Sequence, residues 1–212
     1  MIIAKHFYMI RHGETEANAA KIMAGSMDSP LTQNGIDQAK KAADIISMLN
    51  NKPKTIVHSH LSRARDTANH INTLLNAPIY EDPDFAELNA GDWEGVPYDQ
   101  CQELLVGWQT PPGGESFNEF CERLKRAKNT HLQRHPGPVL IVCHGGVFRA
   151  FGKIYGLNIP GVKNCHLYEF EPLPNTETFP WRVWEYGLND DGGIVRNIAN
   201  VYLNADTAEI ES

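Results

Sequence analysis

Pro138-Val-Leu-Ile-Val-Cys143-His144-Gly145-Gly146 is the stretch that decides the fold. Five consecutive apolar residues with no polar alternation suit a strand buried on both faces, the kind found at the parallel centre of a helix-covered sheet. The run ends abruptly in His-Gly-Gly, and a helical pattern follows to Tyr155. Working outward, residues 2–10 read as a second buried strand, ending at Arg11-His12-Gly13. Gly25 to Gly35 is loop, with Asp28-Ser29-Pro30 as turn chemistry. Thr32 is placed to cap a helix that carries Ile36, Ala39, Ala43, Ile46 and Leu49 on one face to about Asn50. Thr55 to Ser59 is a short strand. Ser62 to Asn76 is helical, with Ala64, Ala68, Ile71 and Leu75 inward, and a short strand follows at Ile79-Tyr80.

Residues 81 to 114 are irregular, aromatic and acidic, with one helix over Tyr98–Val106. Ser116, with Glu119 three residues on, forms a capping box for a helix reaching about His135. Two further strands are expected at 166–171 and 180–187. Strand and helix alternate, which predicts an α/β layered sheet, largely parallel in its centre. Ligands of such sheets sit beyond the carboxyl ends of the strands, so Arg11-His12, Ser59 to Arg63 and His144 are expected to converge.

At 212 residues the chain is read as a single domain over 1–212, its core in 1–172 and a strand and tail of uncertain packing in 173–212. With 42% apolar and 21% charged residues it is neither disordered nor a coiled coil. Nineteen basic against 26 acidic side chains leave a net charge of −7, which argues against nucleic-acid binding. No run approaches a membrane span, Lys5 and His6 break the apolar N-terminus, and four scattered cysteines suit a reducing compartment. The expected location is cytoplasmic.

Two arginines, two histidines and a carboxylate gather in the convergent zone: Arg11, Arg63, His12, His144 and Glu87. Arginine forks match phosphate oxygens in pairs, a neutral imidazole is a nucleophile, and a carboxyl held protonated can give a proton to a leaving alkoxide. The motifs R-H-G-E-T, Asn18, G-x-x-D-x-P-L-T-x-x-G-x-x-Q-A from Gly25 to Ala39, S-x-L-x-R-A-x-x-T-A, W-E-G, P-G-G-E-S and H-G-G occur in order over residues 8 to 150. In these the chain resembles the histidine phosphatase superfamily, in its phosphoglycerate mutase-like branch.

The resemblance implies a three-layer α/β/α sandwich with a mostly parallel central sheet. It further implies transfer of a phosphoryl group to His12, with Arg11, Arg63, His144 and Asn18 holding the phosphoryl oxygens. Glu87 would be the general acid and then the general base. No metal and no other cofactor is implied; the partner is a small-molecule phosphate ester. Ala24 departs from the family, where a polar residue is common, so no phosphate ligand is assigned there.

Neighbouring residues have plainer readings. Arg65 can pair with Asp66, Glu94 can bond loop backbone, Cys143 reads as core and Arg149 as a packing or ion-pair residue. Trp93, Tyr98 and Trp108 read equally as core. His58 and His60 lack a third ligand for a metal.

Hydrolase, mutase, protein phosphatase and non-catalytic binding module all remain open to this superfamily. The intact residue set disfavours the last. No lysine or arginine occurs from Asp66 to Glu122, while eleven acids lie between Glu81 and Glu122. As a pocket cover these would oppose a second phosphate by roughly 3 kcal/mol per pair of charges ~6 Å apart. A phosphatase preferring neutral, aromatic or cationic leaving groups is therefore expected, with mutase as the alternative. The stretch Ile194 to Tyr202 has three readings: an edge strand, a segment packed back on the core, or a surface pairing two copies in a homodimer.

Overall fold

The computed structural model describes residues 1–199 apart from 160, 175 and 177. Strand β4 (Val139–Cys143) is buried along its whole length and runs parallel to β1 (Phe7–Arg11) on one side and β2 (Thr55–His58) on the other. Strand β3 (Ile79–Glu81) adds in parallel to β2. On the far side of β1, three strands turn antiparallel: β5 (Leu167–Pro172), β6 (Trp181–Leu188) and β7 (Ile194–Ile198). The order is β3-β2-β4-β1-β5-β6-β7.

The period of two in a strand divides the core. Phe7, Met9, Val57, Ile141 and Cys143 face one side, where they meet Phe120, Leu124, Phe148 and Phe151 of helices α5 (Phe117–Arg134) and α6 (Gly145–Ile154). Tyr8, Ile10, Ile56, Leu140 and Val142 face the other side, against α2 (Gln33–Ser47) and α3 (Ser62–Leu75). Small residues there (Ala39, Ala42, Ala64, Ala68) let the two helices lie close to the sheet. Each large apolar side chain buried in these faces contributes about 1.5–3 kcal/mol before conformational entropy is set against it. The result is the three-layer sandwich, parallel in its centre and antiparallel in one wing.

Local signals behave as the sequence suggests. The Thr32 side chain accepts from Gly35 N to start α2, and Ser116 with Glu119 forms the capping box of α5. A short helix α1 (Glu16–Ala19) is capped by Thr15, with Asn18 completing its box. Helix α4 spans Tyr98–Val106.

Two expectations change. The first strand begins at Phe7 rather than at residue 2, because side chains capture the amides that would enter the ladder. Ile2 N donates to the Tyr155 hydroxyl (3.1 Å) and Ile3 N to Asn129 Oδ1 (2.8 Å). Helix α2 ends at Ser47, before Asn50. Of the three readings of the tail, Ile194–Ile198 takes the edge strand, paired with β6. Asn200 to Tyr202 lie outside the described residues. Among the described residues no helix is long and apolar enough to cross a membrane, and all four cysteines are free and buried.

Lys128 and Glu169 are among the polar groups buried in this architecture away from the site. Lys128 on α5 has no exposure; its Nζ lies 3.3 Å from the Phe151 ring centroid, 4.6 Å from that of Phe7 and 3.0 Å from Met9 Sδ. Burial drives its pKa well below the usual lysine range. Glu169 on β5 accepts from Tyr186 Oη (2.6 Å), His6 Nε2 (2.8 Å), Arg196 Nε (2.9 Å) and Tyr8 Oη (3.3 Å). Burial raises its pKa, but the hydrogen bonds from His6 and Tyr186 and the charge of Arg196 outweigh it and bring the carboxyl down to about 2.

Candidate active site

The sheet places its chemistry at the carboxyl ends of three adjacent strands. Arg11 and Cys143 are register partners of β1 and β4, and His12 N donates to Cys143 O (3.0 Å), so His12 and His144 leave the sheet side by side. Their ring centroids are 5.1 Å apart. Strand β2 ends at His58, and the turn through Ser59 delivers Arg63 on the first turn of α3. His12, Arg63 and His144 are all buried.

Hydrogen bonds set the two imidazoles in opposite tautomers. His12 Nδ1 lies 2.7 Å from Gly13 O; a carbonyl can only accept, so Nδ1 carries the proton and Nε2 the lone pair. At His144 the donor is Arg63 Nε, 3.3 Å from Nδ1, which leaves the proton on Nε2. That Nε2–H is buried without a partner, and so is Arg11 Nε. Among the described residues these are the buried side-chain polar atoms that lack one. An unpaired buried donor costs about 1–3 kcal/mol; Arg11 lines the cavity beside His12, and the His144 ring packs on that of His12, so the arrangement calls for an acceptor there. Burial first, then the charges of Arg11 and Arg63, holds the His12 pKa well below the usual imidazole value. For His144 burial is followed by Arg63, His12, Arg11 and Arg123. Both rings are neutral near pH 7.

Glu87 joins this pair at the start of α6. Its Oε2 accepts from Gly146 N (2.9 Å) in the first turn of α6, and its Oε1 from its neighbour Leu88 N (2.9 Å). A Cβ at position 146 would collide with this carboxylate, so the glycine is what lets the acid approach. The segment carrying Glu87 is strapped by Arg123 of α5. That guanidinium donates to Asp84 O (2.7 Å), Ala86 O (2.8 Å) and Glu87 O (2.9 Å), and its other edge pairs with Glu115.

Arg63 and Asn18 line the cavity, with their hydrogen-bonding capacity partly used. Arg63 Nη1 and Nη2 donate to Met27 O (2.8 Å) and Gly25 O (2.7 Å), which fastens the loop after Ala24 to α3. Asn18 Oδ1 accepts from Thr15 N and Asn164 Nδ2 (both 3.3 Å), so what it offers a ligand is its Nδ2 donors. Arg11 Nη1 is fixed by Val162 O (2.8 Å).

Glu94 bonds Ser26 N (2.6 Å), Ser26 Oγ (2.7 Å) and Ala90 N (3.0 Å), and Arg65 pairs with Asp66, both as the sequence suggests. His58 turns its Nδ1 to Ser59 O (2.8 Å) while His60 is exposed; no group of three or more metal-ligating side chains occurs among the described residues.

Three residues escape the sequence reading or change place in it. Asn164, in no recognisable motif, lines the cavity and donates to His12 O (2.9 Å). Arg149, read as a packing or ion-pair residue, lines the cavity wall with its guanidinium 5.0 Å from the Trp108 ring centroid. Trp108 lines it too, with φ at +56°. The closure Gln109 N to Leu104 O (3.0 Å) puts Trp108 at the position after a helix end where glycine is usual; a left-handed conformation there costs a non-glycine residue about 1–2 kcal/mol.

The acid-rich cover also reads differently in three dimensions. Besides Glu87, only Asp99 among its acids lines the cavity. Asp82 pairs with His131, Asp84 with Arg126, Glu115 with Arg123 and Glu122 with Lys125; Glu94 and Glu119 hold loop and cap backbone. These side chains are engaged within the protein, and a cavity of about 870 Å³ remains, walled by Ile22, Met23, Leu88 and Phe120.

Comparison with known proteins agrees with this architecture. The family model of the histidine phosphatase superfamily, branch 1, matches residues 7–177. The uncharacterized phosphatase PhoE of Bacillus subtilis is 32% identical over 184 residues, covering 85% of this chain and 93% of its own. A probable phosphoglycerate mutase GpmB of Cronobacter sakazakii is 36% identical, over 65% of this chain and 68% of its own. The solved structure of a mycobacterial glucosyl-3-phosphoglycerate phosphatase, complexed with VO3, superposes with a TM-score of 0.73 at 26% identity, covering 85% of this chain and 97% of that one. With a family model matched from the first strand through β5, this chain belongs to the histidine phosphatase superfamily, branch 1.

Proposed function

We propose that the protein is a metal-independent phosphomonoester hydrolase working through a phosphohistidine at His12. The observation that carries this reading is the pair of buried, unpartnered donors, His144 Nε2 and Arg11 Nε, beside an imidazole whose Nε2 lone pair is free. A phosphoryl group is the acceptor that fits them. His12 Nε2 attacks phosphorus in line, the bond from phosphorus to the ester oxygen breaks, and the leaving oxygen takes the proton of Glu87. Gly13 O, bonded to Nδ1–H, steadies the positive charge the ring acquires.

In the second half, water gives a proton to Glu87 and its oxygen to phosphorus, and the N–P bond breaks. His144 and Arg11 hold the phosphoryl oxygens with Asn18 Nδ2. Arg63 contributes its charge and fixes the tautomer of His144.

Hydrolysis rather than mutase chemistry is supported by the short stretch between Glu87 and Gly114, which contains no lysine or arginine for a second phosphate. The mutase reading keeps one observation in its favour, the cations Lys21 and Arg149 on the cavity wall. The deciding experiment measures phosphate release from p-nitrophenyl phosphate in excess EDTA by the wild type and His12→Ala, beside interconversion of 3- and 2-phosphoglycerate. Release that survives EDTA and vanishes in the variant, without interconversion, is the expected result. Interconversion faster than release would replace hydrolase by mutase.

A further inference from the structure

The segment between α6 and β5 returns across the end of the sheet and grips the strand end that carries His12. Val162 O accepts from Arg11 Nη1 (2.8 Å), Cys165 N donates to Arg11 O (3.0 Å), and Asn164 Nδ2 donates to His12 O (2.9 Å). To make its bond Cys165 takes φ +52°, in the left-handed region that residues with a side chain rarely adopt. Such conformations persist where the surrounding contacts over-determine them.

The amide of Asn164 has one orientation, dictated by its partners. His12 O is a carbonyl and only accepts. Its second neighbour, the Asn18 side chain at 3.3 Å, presents oxygen, because the backbone amide of Thr15 also donates to that atom. Both protons of Asn164 Nδ2 are therefore spent on acceptors. Thr15 N by itself offers Asn18 a single bond of 3.3 Å, longer than the usual range for N–H···O. The second donor, from Asn164, keeps Asn18 Oδ1 turned to the protein and leaves the Asn18 Nδ2 protons for a ligand. A reversed Asn18 amide would set an acceptor oxygen against the phosphoryl anion.

We propose that Asn164 is a positioning residue for phosphoryl transfer, which orients the Asn18 amide toward the phosphoryl oxygens and pins the carbonyl of His12. It holds no phosphoryl oxygen itself: its donors are spent, and its remaining polar atom, Oδ1, is an acceptor that an anion repels. The proposal rests on the phosphoryl site described above.

The test is a double-mutant cycle on the full chain, with Asn164→Leu, Asn18→Ala and both together. Asn164→Leu keeps the size of the side chain and removes both donors. Two quantities are read, kcat/KM for p-nitrophenyl phosphate and the inhibition constant of orthovanadate, whose trigonal bipyramid resembles phosphorus during transfer. Asn18→Ala is expected to lose about thirtyfold in both, the scale of one hydrogen bond to a charged group. Asn164→Leu should lose about tenfold alone, but at most about twofold more when Asn18 is already alanine. Asn164→Asp serves as the second variant. Its carboxylate accepts from Asn18 Nδ2 and turns that amide round, so adding Asn18→Ala to it should cost nothing further.

A tenfold loss from Asn164→Leu that is the same with and without Asn18 is a structural effect and overturns the proposal. Full activity in Asn164→Leu overturns it too, as does a further thirtyfold loss when Asn18→Ala is added to Asn164→Asp. Failure of the phosphoryl site looks different. Asn18→Ala would then leave kcat/KM and orthovanadate inhibition unchanged, and both readings would fall together.

Discussion

Arg123 offers the sharpest test of how this protein holds its proposed acid, because it acts on Glu87 through the backbone alone. Arg123→Gln removes donors from Asp84 O, Ala86 O and Glu87 O and leaves the Glu115 carboxylate without its partner. The two side chains of that pair are 14% and 16% exposed. Breaking a fully buried pair costs about 3–5 kcal/mol; partial exposure and rehydration of the carbonyls reduce this to about 2–3 kcal/mol. For a chain of this size that is a fall of roughly 5–10 °C in Tm.

The effect on rate is more specific. A carboxyl displaced by about 1 Å loses about 10²-fold in a step that depends on it. p-Nitrophenolate leaves without a proton, whereas an alkoxide does not. Steady-state kcat/KM on glycerol 2-phosphate should therefore fall by about 10²-fold in the variant, and on p-nitrophenyl phosphate by far less. Below the melting range, equal losses on both substrates would mean general damage and would refute the positioning role. An unchanged ratio with full activity would show that Gly146 N and Leu88 N hold Glu87 without Arg123, and would refute the positioning role too.

Two further outcomes follow from the buried groups. Lys128→Met should stabilise the protein by about 1–3 kcal/mol in urea unfolding, because an amine in an aromatic setting is exchanged for a thioether of similar volume. Burial lowers the pKa of the folded lysine while the unfolded one binds a proton up to about pH 10.4, so wild-type stability rises with pH between the two; the gain should shrink as the pH rises toward 10, and a gain independent of pH would contradict a lowered pKa at Lys128. With His12 held well below 6.5, kcat on p-nitrophenyl phosphate should stay within about twofold from pH 7.5 to 5.5, and a decline of about tenfold through pH 6.5 would show an ordinary imidazole there.

What the sequence reveals of this fold is what local chemistry encodes. Caps at Thr32 and Ser116 act over three residues, and the unbroken apolar run of β4 needs no partner to be recognised. The glycines beside His12 and His144 lie within the motifs themselves. Failures occur where the deciding contact is remote in the chain. Residues 2–6 have the composition of a strand, but Tyr155 and Asn129, more than 120 residues away, take the amides. The acids of the cover are plain in the sequence, yet their direction depends on Arg123, Arg126 and His131 of a helix that follows them. Asn164 carries no signal at all, since an asparagine after a loop lysine becomes informative only once His12 O is found beside it. Arg149 misleads for a related reason: its spacing along α6 is ordinary, and only the unusual backbone of Trp108 brings an indole beneath it.

The Glu169 network bears on how the molecule comes apart. One carboxylate gathers ties from Tyr8 on β1, Tyr186 on β6, Arg196 on β7 and His6 just ahead of the first strand, so a single proton addresses the whole seam between the parallel and antiparallel halves. Its contribution is present above about pH 4.5 and is lost as the pH falls toward 2. Acid therefore weakens this edge of the sheet first, where Glu169 ties β5 to β6, β7 and the segment ahead of β1.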